Sequence, residues 1–429
     1  MGAKARPKLA IKDFLARNDL LKTFFELKGN SRACIFTEPM WGLSMNLCLP
    51  YASVYMLALG LDDLQIGVVA SVYMFSQMVF AFLSGALVDR FGRRFSTAVF
   101  DFFAWSLPCV IWAFAEGFWF FIVAALFNGI MKVTTVSWDC LMVEDAPPDK
   151  LTKIYSWVIL CGNLSALFAP VASILVSRLT LAPAVRILYI NAFVIMTAKL
   201  IILYALSTET QVGIIRMKEV KGQKFSALLS GYKSVLGTMF RSRGMMFALF
   251  ISIIVEIAFM LSSTFWQIIA SRRIGVSDTM LPLFPMVRSI ISIVLFFTVI
   301  TRVSQLRLRN PLILGFASYI VSIVILVLLP TGALGYTGLL VSILFDSFGS
   351  AILSTLRESI VAINADVKER SRTLAMLQMI VMLISVPFGY IGGFLSSISR
   401  VLPFVLIIAL FVIGMGVTYI FFRTGGTNK

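Results

Sequence analysis

Long apolar runs constrain the fold of this chain more than any other feature. A run of about 20 apolar residues is enough for a helix to cross a bilayer, and a bilayer admits only helices or closed barrels. The predicted spans are residues 34–58, 66–87, 96–115, 118–142, 154–177, 184–207, 244–269, 279–301, 311–330, 333–357, 373–396 and 401–422. We therefore expect an all-α polytopic membrane protein with twelve transmembrane helices.

The composition agrees with this expectation. Hydrophobic residues make up 59% of the chain and charged residues 14%, whereas soluble domains have about 25% charged residues. Most of the basic residues behind the net charge of +16 fall in segments that an alternating topology places on one side. We interpret this excess as an orientation signal and expect no nucleic-acid partner. The expected location is the cytoplasmic membrane, with both termini in the cytoplasm and the lipid bilayer as surroundings.

The polar segments divide the chain into two halves. The predicted domains are a basic N-terminal segment 1–33, a six-helix bundle 34–207, a cytoplasmic linker 208–243, a second six-helix bundle 244–422 and a cytoplasmic tail 423–429. Apolar residues recur near helical spacing in the first segment, which predicts an amphipathic helix on the membrane surface. The sequences after the first and seventh spans, 59–63 and 274–278, resemble each other weakly, which is typical of transporters built from repeats.

A short loop joins the second and third spans at residues 85–94, with the sequence Gly-Ala-Leu-Val-Asp-Arg-Phe-Gly-Arg-Arg. It resembles the signature loop of the major facilitator superfamily, G-x-x-x-D-R-x-G-R-R. The defining positions are filled by Gly85, Asp89, Arg90, Gly92, Arg93 and Arg94. The loop between the eighth and ninth spans keeps the arginines of a second copy but lacks its glycines and aspartate.

The resemblance implies a fold of two pseudo-symmetric six-helix bundles that rock around a central site. In that family the first, fourth, seventh and tenth helices line the cavity. The signature loop would hold the two halves together on the cytoplasmic side in the outward-facing state, and the charge of Asp89 would be part of that lock.

Polar residues form stripes on three of those four helices. The fourth span carries Asn128, Lys132, Thr135 and Asp139, the seventh carries Glu256, Ser263 and Gln267, and the tenth carries Asp346, Ser350 and Arg357. Ionisable residues inside a span usually face a bundle interior or a water-filled cavity. The stripes indicate a transport cavity, or interhelical hydrogen bonds that hold the bundle together. The candidate substrate or proton-coupling residues are Glu256, Asp346, Lys132, Asn128, Ser263 and Gln267.

Other charged residues have candidate structural roles. Asp139 and Arg357, with Glu358, lie towards the cytoplasmic ends of the fourth and tenth spans and predict a gate that closes this side. Lys199 is on the peripheral sixth span, where it snorkels to the surface or forms a structural pair. Arg288 on the eighth span is a partner of one of the mid-membrane acids or an anion contact.

The predicted function is secondary active transport of a small molecule by alternating access. Proton coupling is favoured because the chain has no histidine, and carboxyl groups whose pKa rises on desolvation are the remaining proton carriers near neutral pH. No phosphate-binding loop, metal-ligand cluster or catalytic constellation is present in the sequence. We therefore expect no enzymatic activity, no cofactor and no metal site.

Three substrate interpretations remain open. An apolar cavity with a lone acid would favour export of amphiphilic compounds, whereas the charge of Lys132 favours uptake or exchange of an anionic metabolite. A non-transporting sensor or a lipid translocator is the third interpretation. We expect the protein to act as a monomer.

Overall fold

A computed structural model describes residues 26–223, 237, 239–295, 298, 308–364 and 370–423. Within them the chain is helical, and ten helices are long and apolar enough to cross a membrane. The predicted N-terminal amphipathic helix falls mostly on residues 1–25, outside the described residues. Part of the linker and the last six residues of the tail also lie outside them.

Six helices form the N-terminal half. They are α1 at residues 29–58, interrupted by a 3₁₀ turn at Leu49–Tyr51, α2 Asp63–Phe91, α3 Arg93–Ala113, α4 Phe118–Val143, α5 Pro148–Leu179 and α6 Leu181–Leu206. The first helix begins at Gly29, earlier than the predicted residue 34. Its first turn is held by Asn30, which exchanges two hydrogen bonds of 2.9 Å with the backbone of Thr208.

The linker helix, Gln211–Glu219, leads towards the C-terminal half. That half comprises α7 Arg243–Ile274, α8 Leu283–Leu295, α9 Arg309–Leu328, α10 Ala333–Asn364, α11 Arg370–Ile398 and α12 Leu402–Arg423. The two helices of the predicted twelve that are not among these ten are α1 and α8. Helix α1 is rich in polar and small residues, and α8 is described over only 13 residues.

The two halves contact each other most extensively where α2 packs against α11. We call the end of the bundle that carries the signature loop and the linker the linker end, and the opposite end the far end. The closest approach of α2 and α11 is near the far end, where Gly67 faces Gly389 and Gly393. Glycines allow this contact because each lacks the side chain that would separate two helix backbones.

Hydrogen bonds between the halves also lie at the far end. The Ser53 hydroxyl of α1 donates to the Thr264 carbonyl of α7 at 2.6 Å. The carboxylate of Asp63 accepts from Ser396 at 2.6 Å and lies 3.4 Å from Arg400 Nε. These contacts close the far end over the described residues.

Candidate functional site

A cavity of about 120 Å³ lies between the two halves, where α4, α7, α10 and α11 meet. We call it the central cavity. Its polar lining residues are Lys132, Ser252, Glu256, Arg357 and Gln378, and the remaining described lining residues are aliphatic or methionine. Each polar residue is placed by a helix that the apolar pattern predicts, so the charged groups lie on rigid elements rather than on loops.

Glu256 and Arg357 face each other across the central cavity. The distance from Arg357 Nη1 to Glu256 Oε2 is 3.7 Å, and the two side chains are 27% and 24% exposed. Lys132 on α4 lines the same cavity, where its ammonium group interacts electrostatically with Glu256 and Arg357. With all three groups ionised, two positive charges face one negative charge. The formal charges of the described lining residues of the cavity therefore sum to +1.

A second cavity, of about 250 Å³, lies within the C-terminal half, between α7, α8, α9, α10 and α12. We call it the C-half cavity. It contains an ion pair in which Arg288 Nη2 lies 3.0 Å from Asp346 Oδ2. Arg288 also lies 3.4 Å from the Ser350 hydroxyl. Of the two acids considered as partners of Arg288, the structure thus places Asp346 beside it.

The structure distributes the candidate residues over these two cavities. Glu256 and Lys132 line the central cavity, whereas Asp346, Ser263 and Gln267 line the C-half cavity. Among the described residues, none lines both cavities. The polar stripe of α7 therefore does not serve a single site.

Asn128 has a different contact. Its side-chain amide donates to the Ala104 carbonyl of α3 at 2.8 Å. Such a hydrogen bond holds neighbouring helices together, which is the alternative to a role in the transport cavity.

The signature loop is held by a network of charged groups at the linker end. Arg93 Nη1 lies 3.0 Å from Asp89, and Arg93 Nη2 lies 3.1 Å from Glu144 at the end of α4. Gly92 has a φ of +83°, a conformation that side-chain-bearing residues rarely adopt. Arg90 is exposed and Gly85 lies within α2.

Glu209 in the linker completes this network. Its carboxylate accepts from the backbone N–H groups of Arg93 and Arg94 at 2.9 and 3.0 Å, so it caps the start of α3. A negative charge at a helix N-terminus is stabilising, because the first N–H groups of a helix have no partner within it. The sequence analysis missed this residue, since its contact spans more than 100 positions and follows no periodic pattern.

The three residues predicted for the cytoplasmic gate do not lie together in this structure. Asp139 lies on α4 between Lys132 and the linker end of the helix, and it is partly exposed. Arg357 takes part in the central cavity, as described. Glu358 falls on α10, and its side chain lies outside the described part of the structure. The gate stays a prediction for a state that is closed at the linker end.

Lys199 forms a structural pair. Its ammonium group lies 2.5 Å from Asp101 Oδ2 on α3, and both side chains are buried. This contact agrees with the second of the two roles considered for Lys199. The pair joins α6 to α3 inside the N-terminal half.

Two lining residues of the central cavity were missed. Ser252 lies one helical turn before Glu256, so the spacing of the α7 stripe already contained it. Gln378 lies on α11, which the sequence analysis did not assign to the cavity. A polar residue in the first half of an apolar span was the available signal.

Comparison with known proteins decides the family. The sequence profile of the Major Facilitator Superfamily matches residues 40–383, which is most of the chain. This chain belongs to the major facilitator superfamily. A search of curated proteins finds no match. The resemblance carried by the signature loop is therefore confirmed at the level of the family.

Solved structures confirm the superfamily fold. A mutant of the nucleoside transporter NupG superposes with a TM-score of 0.72 at 14% identity, covering 92% of this chain and 100% of that one. A mutant POT peptide transporter in complex with sulfate gives 0.68 at 17% identity, covering 91% and 94%. The human organic anion transporter MFSD10 gives 0.61 at 15% identity, covering 90% and 98%. The chain is thus a multi-pass membrane transporter of this superfamily.

Proposed function

We propose that this superfamily member is a proton-coupled secondary transporter of a small anionic or zwitterionic solute. The observation that carries the proposal is the formal charge of +1 among the described lining residues of the central cavity, where Lys132 and Arg357 lie near the acid Glu256. A solute carboxylate or phosphate placed between the two cations would balance that charge. Guanidinium and ammonium groups are the common partners of such anions.

Protons enter the proposal through Glu256. An ion pair at about 4 Å interacts by about 4 kcal/mol at an effective dielectric constant of 20, before the desolvation of both groups is subtracted. Protonation of Glu256 removes this attraction, and the formal charge of the three groups rises from +1 to +2. Proton binding at Glu256 therefore favours anion binding beside it.

Linkage makes this coupling reciprocal. If a proton raises the affinity for the anion, the anion raises the affinity for the proton by the same factor. The loaded carrier then holds both, and the empty carrier holds neither. A superfamily member with this property moves the solute and the proton in the same direction.

The charged lining of the central cavity argues against export of amphiphilic compounds. Export of amphiphilic compounds rested on a lone acid in an apolar cavity, but Glu256 lies 3.7 Å from Arg357 and shares its cavity with Lys132. The charged cavity favours the anionic alternative. Peptide and organic anion transporters among the solved structures show that the fold accommodates such solutes.

We also propose that the linker end faces the cytoplasm. Arg90, Arg93 and Arg94 lie there, and so do Arg216 and Lys218 of the linker helix. Basic residues near span ends are retained on the cytoplasmic side. Both termini would then be cytoplasmic, and the structure, closed at the far end, would represent the inward-facing state.

The proposal is tested by binding to the purified full-length protein. The panel contains short mono- and dicarboxylates, amino acids, phosphate esters and neutral amide counterparts of the carboxylates, and binding is measured by thermal shift. We expect carboxylates or phosphates to raise the unfolding temperature and the amides to have no effect. The charge-removing substitution Lys132→Met should abolish the shift, whereas Lys218→Met in the linker helix should preserve it. Equal shifts with acids and amides would overturn the anionic assignment.

A further inference from the structure

The C-half cavity has no role in the proposed function, although it is larger than the central cavity. It has a volume of about 250 Å³ and is formed by described residues of the C-terminal half alone. Small-molecule sites are concave, mainly apolar and equipped with a few convergent polar groups, and this cavity has the same composition. Its walls determine the kind of molecule that it would hold.

Aromatic rings form much of the wall. Trp266 and Phe284 meet edge to face, with ring centroids 5.6 Å apart. Phe259, Tyr319 and Phe404 line the same space. Phe259 is 58% exposed, so its ring contacts little of the protein. Flat aromatic ligands stack on such rings or meet their edges, with a gain in affinity beyond that of area burial.

The charges in this cavity are balanced. Arg288 and Asp346 neutralise each other at 3.0 Å, and the Tyr319 hydroxyl lies beside both groups. No other ionisable side chain is among the described lining residues. In contrast with the central cavity, a charged ligand would gain no net attraction here. The balance favours a neutral ligand.

Two polar side chains that line the cavity keep unused hydrogen-bonding capacity among the described contacts. Arg288 bonds to Asp346 and Ser350 through Nη2 and also interacts with the Tyr319 hydroxyl, while a guanidinium carries five N–H donors. The amide oxygen of Gln267 is buried and accepts no hydrogen bond from the described residues. A buried acceptor without a donor is destabilising, because it has lost its hydrogen bond to water. Rotation of the Gln267 side chain would offer this oxygen to a ligand donor.

From these features we propose that the C-half cavity binds a small, neutral, flat heteroaromatic solute that carries both a hydrogen-bond donor and an acceptor. The donor pairs with Gln267, the acceptor pairs with Arg288, and the ring lies against Trp266. This site is separate from the anion site of the central cavity. Its existence therefore does not depend on the proposed transport function.

The test uses matched probe molecules and tryptophan fluorescence of the full-length protein in detergent. Adenine and theophylline carry a ring N–H donor and ring or carbonyl acceptors, whereas caffeine is the counterpart of theophylline without the N–H. We expect at least one N–H probe to quench part of the tryptophan fluorescence saturably. Its methylated counterpart, where the probe has one, should bind at least about tenfold more weakly, in line with the loss of one buried hydrogen bond.

Variants assign the quenching to the cavity. Trp266→Phe keeps an aromatic wall and should remove the quenching, while calorimetry still detects binding. Gln267→Met should weaken N–H probes about tenfold or more and leave caffeine unaffected, and circular dichroism checks its fold. Lys132→Met, in the central cavity, should change probe affinity less than twofold.

Three results would overturn the inference. The first is that no N–H probe binds the native protein. The second is that Lys132→Met abolishes probe binding while Gln267→Met does not, which would place the probe in the central cavity. The third is that methylated and unmethylated probes bind equally well.

Discussion

Closure of the far end depends on a glycine contact, and adding one methyl group there should shift the conformational equilibrium. A Cβ atom added at Gly67 would lie 2.7 Å from the Gly393 Cα atom and 2.8 Å from its backbone nitrogen, and it would also clash with the Gly389 carbonyl oxygen. These neighbours are backbone atoms. They cannot turn away as the end of a side chain can, so α2 and α11 must separate.

The size of the effect follows from the cost of overpacking. Extra methyl or methylene groups in a packed interface cost about 1–3 kcal/mol. The clash exists only when the far end is closed, so Gly67→Ala destabilises that state and leaves the opposite state unaffected. A difference of this size changes the ratio of the two states by about 5- to 150-fold.

Distances between spin labels measure this ratio. Labels at Glu116 and Ser277, which are exposed on far-end loops of the two halves, report the opening of that end. In a background without native cysteines, the native sequence should give a short distance and Gly67→Ala a larger population at long distance. Gly416→Ala is the matched control, because an added Cβ on this α12 glycine meets no atom within 4 Å. Identical distance distributions for Gly67→Ala and the native sequence would refute the argument.

Three further predictions concern charged groups. Asp89→Asn should cripple transport in proteoliposomes without affecting membrane insertion, because the charge that faces Arg93 is lost while the shape is kept; transport at the native rate would exclude a role for the charge. Asp139→Arg or Arg357→Asp alone should favour the state open at the linker end, and the double exchange should restore part of the closed population in spin-label distances, whereas additive shifts would count against this gate. Lys199→Met should lower the stability by about 3–5 kcal/mol because it leaves the Asp101 carboxylate buried and unpaired; in thermal unfolding, Asp101→Asn added to it should recover part of the loss.

The sequence predicted the twelve-helix superfamily fold because two signals are local. Long apolar runs set the helices, and the signature loop around Asp89 and Gly92 needs only a turn between two spans. The polar stripes also identified helices that line cavities. Bounds were less accurate: α1 begins at Gly29, since Asn30 bonds to Thr208, a contact that no local pattern reveals.

The division of the candidate residues between two cavities was not predictable. Glu256 and Gln267 share one helical face, but eleven residues of helix separate them by about 16 Å along the axis. Whether that face lines one space or two depends on how neighbouring helices pack. Partner choice is similarly a tertiary property: Arg357, rather than Lys132, lies within ion-pair distance of Glu256 among the described residues.

Glu256 is the residue on which the proposed proton coupling depends. Substitution by glutamine keeps its shape and mimics the protonated acid permanently. The variant should therefore bind the anionic solute at least as well as the native protein, yet gain nothing from a proton gradient. Asp346→Asn is the second acid to examine, and Glu116→Gln, on an exposed far-end loop, is the matched control.

The most direct test is accumulation of a binding carboxylate or phosphate from the panel in proteoliposomes, driven by a pH gradient alone. The account predicts that the native protein and Glu116→Gln concentrate the solute, while Glu256→Gln only exchanges it down its own gradient. Accumulation by Glu256→Gln at the native level would contradict the account and show that this acid has a structural role.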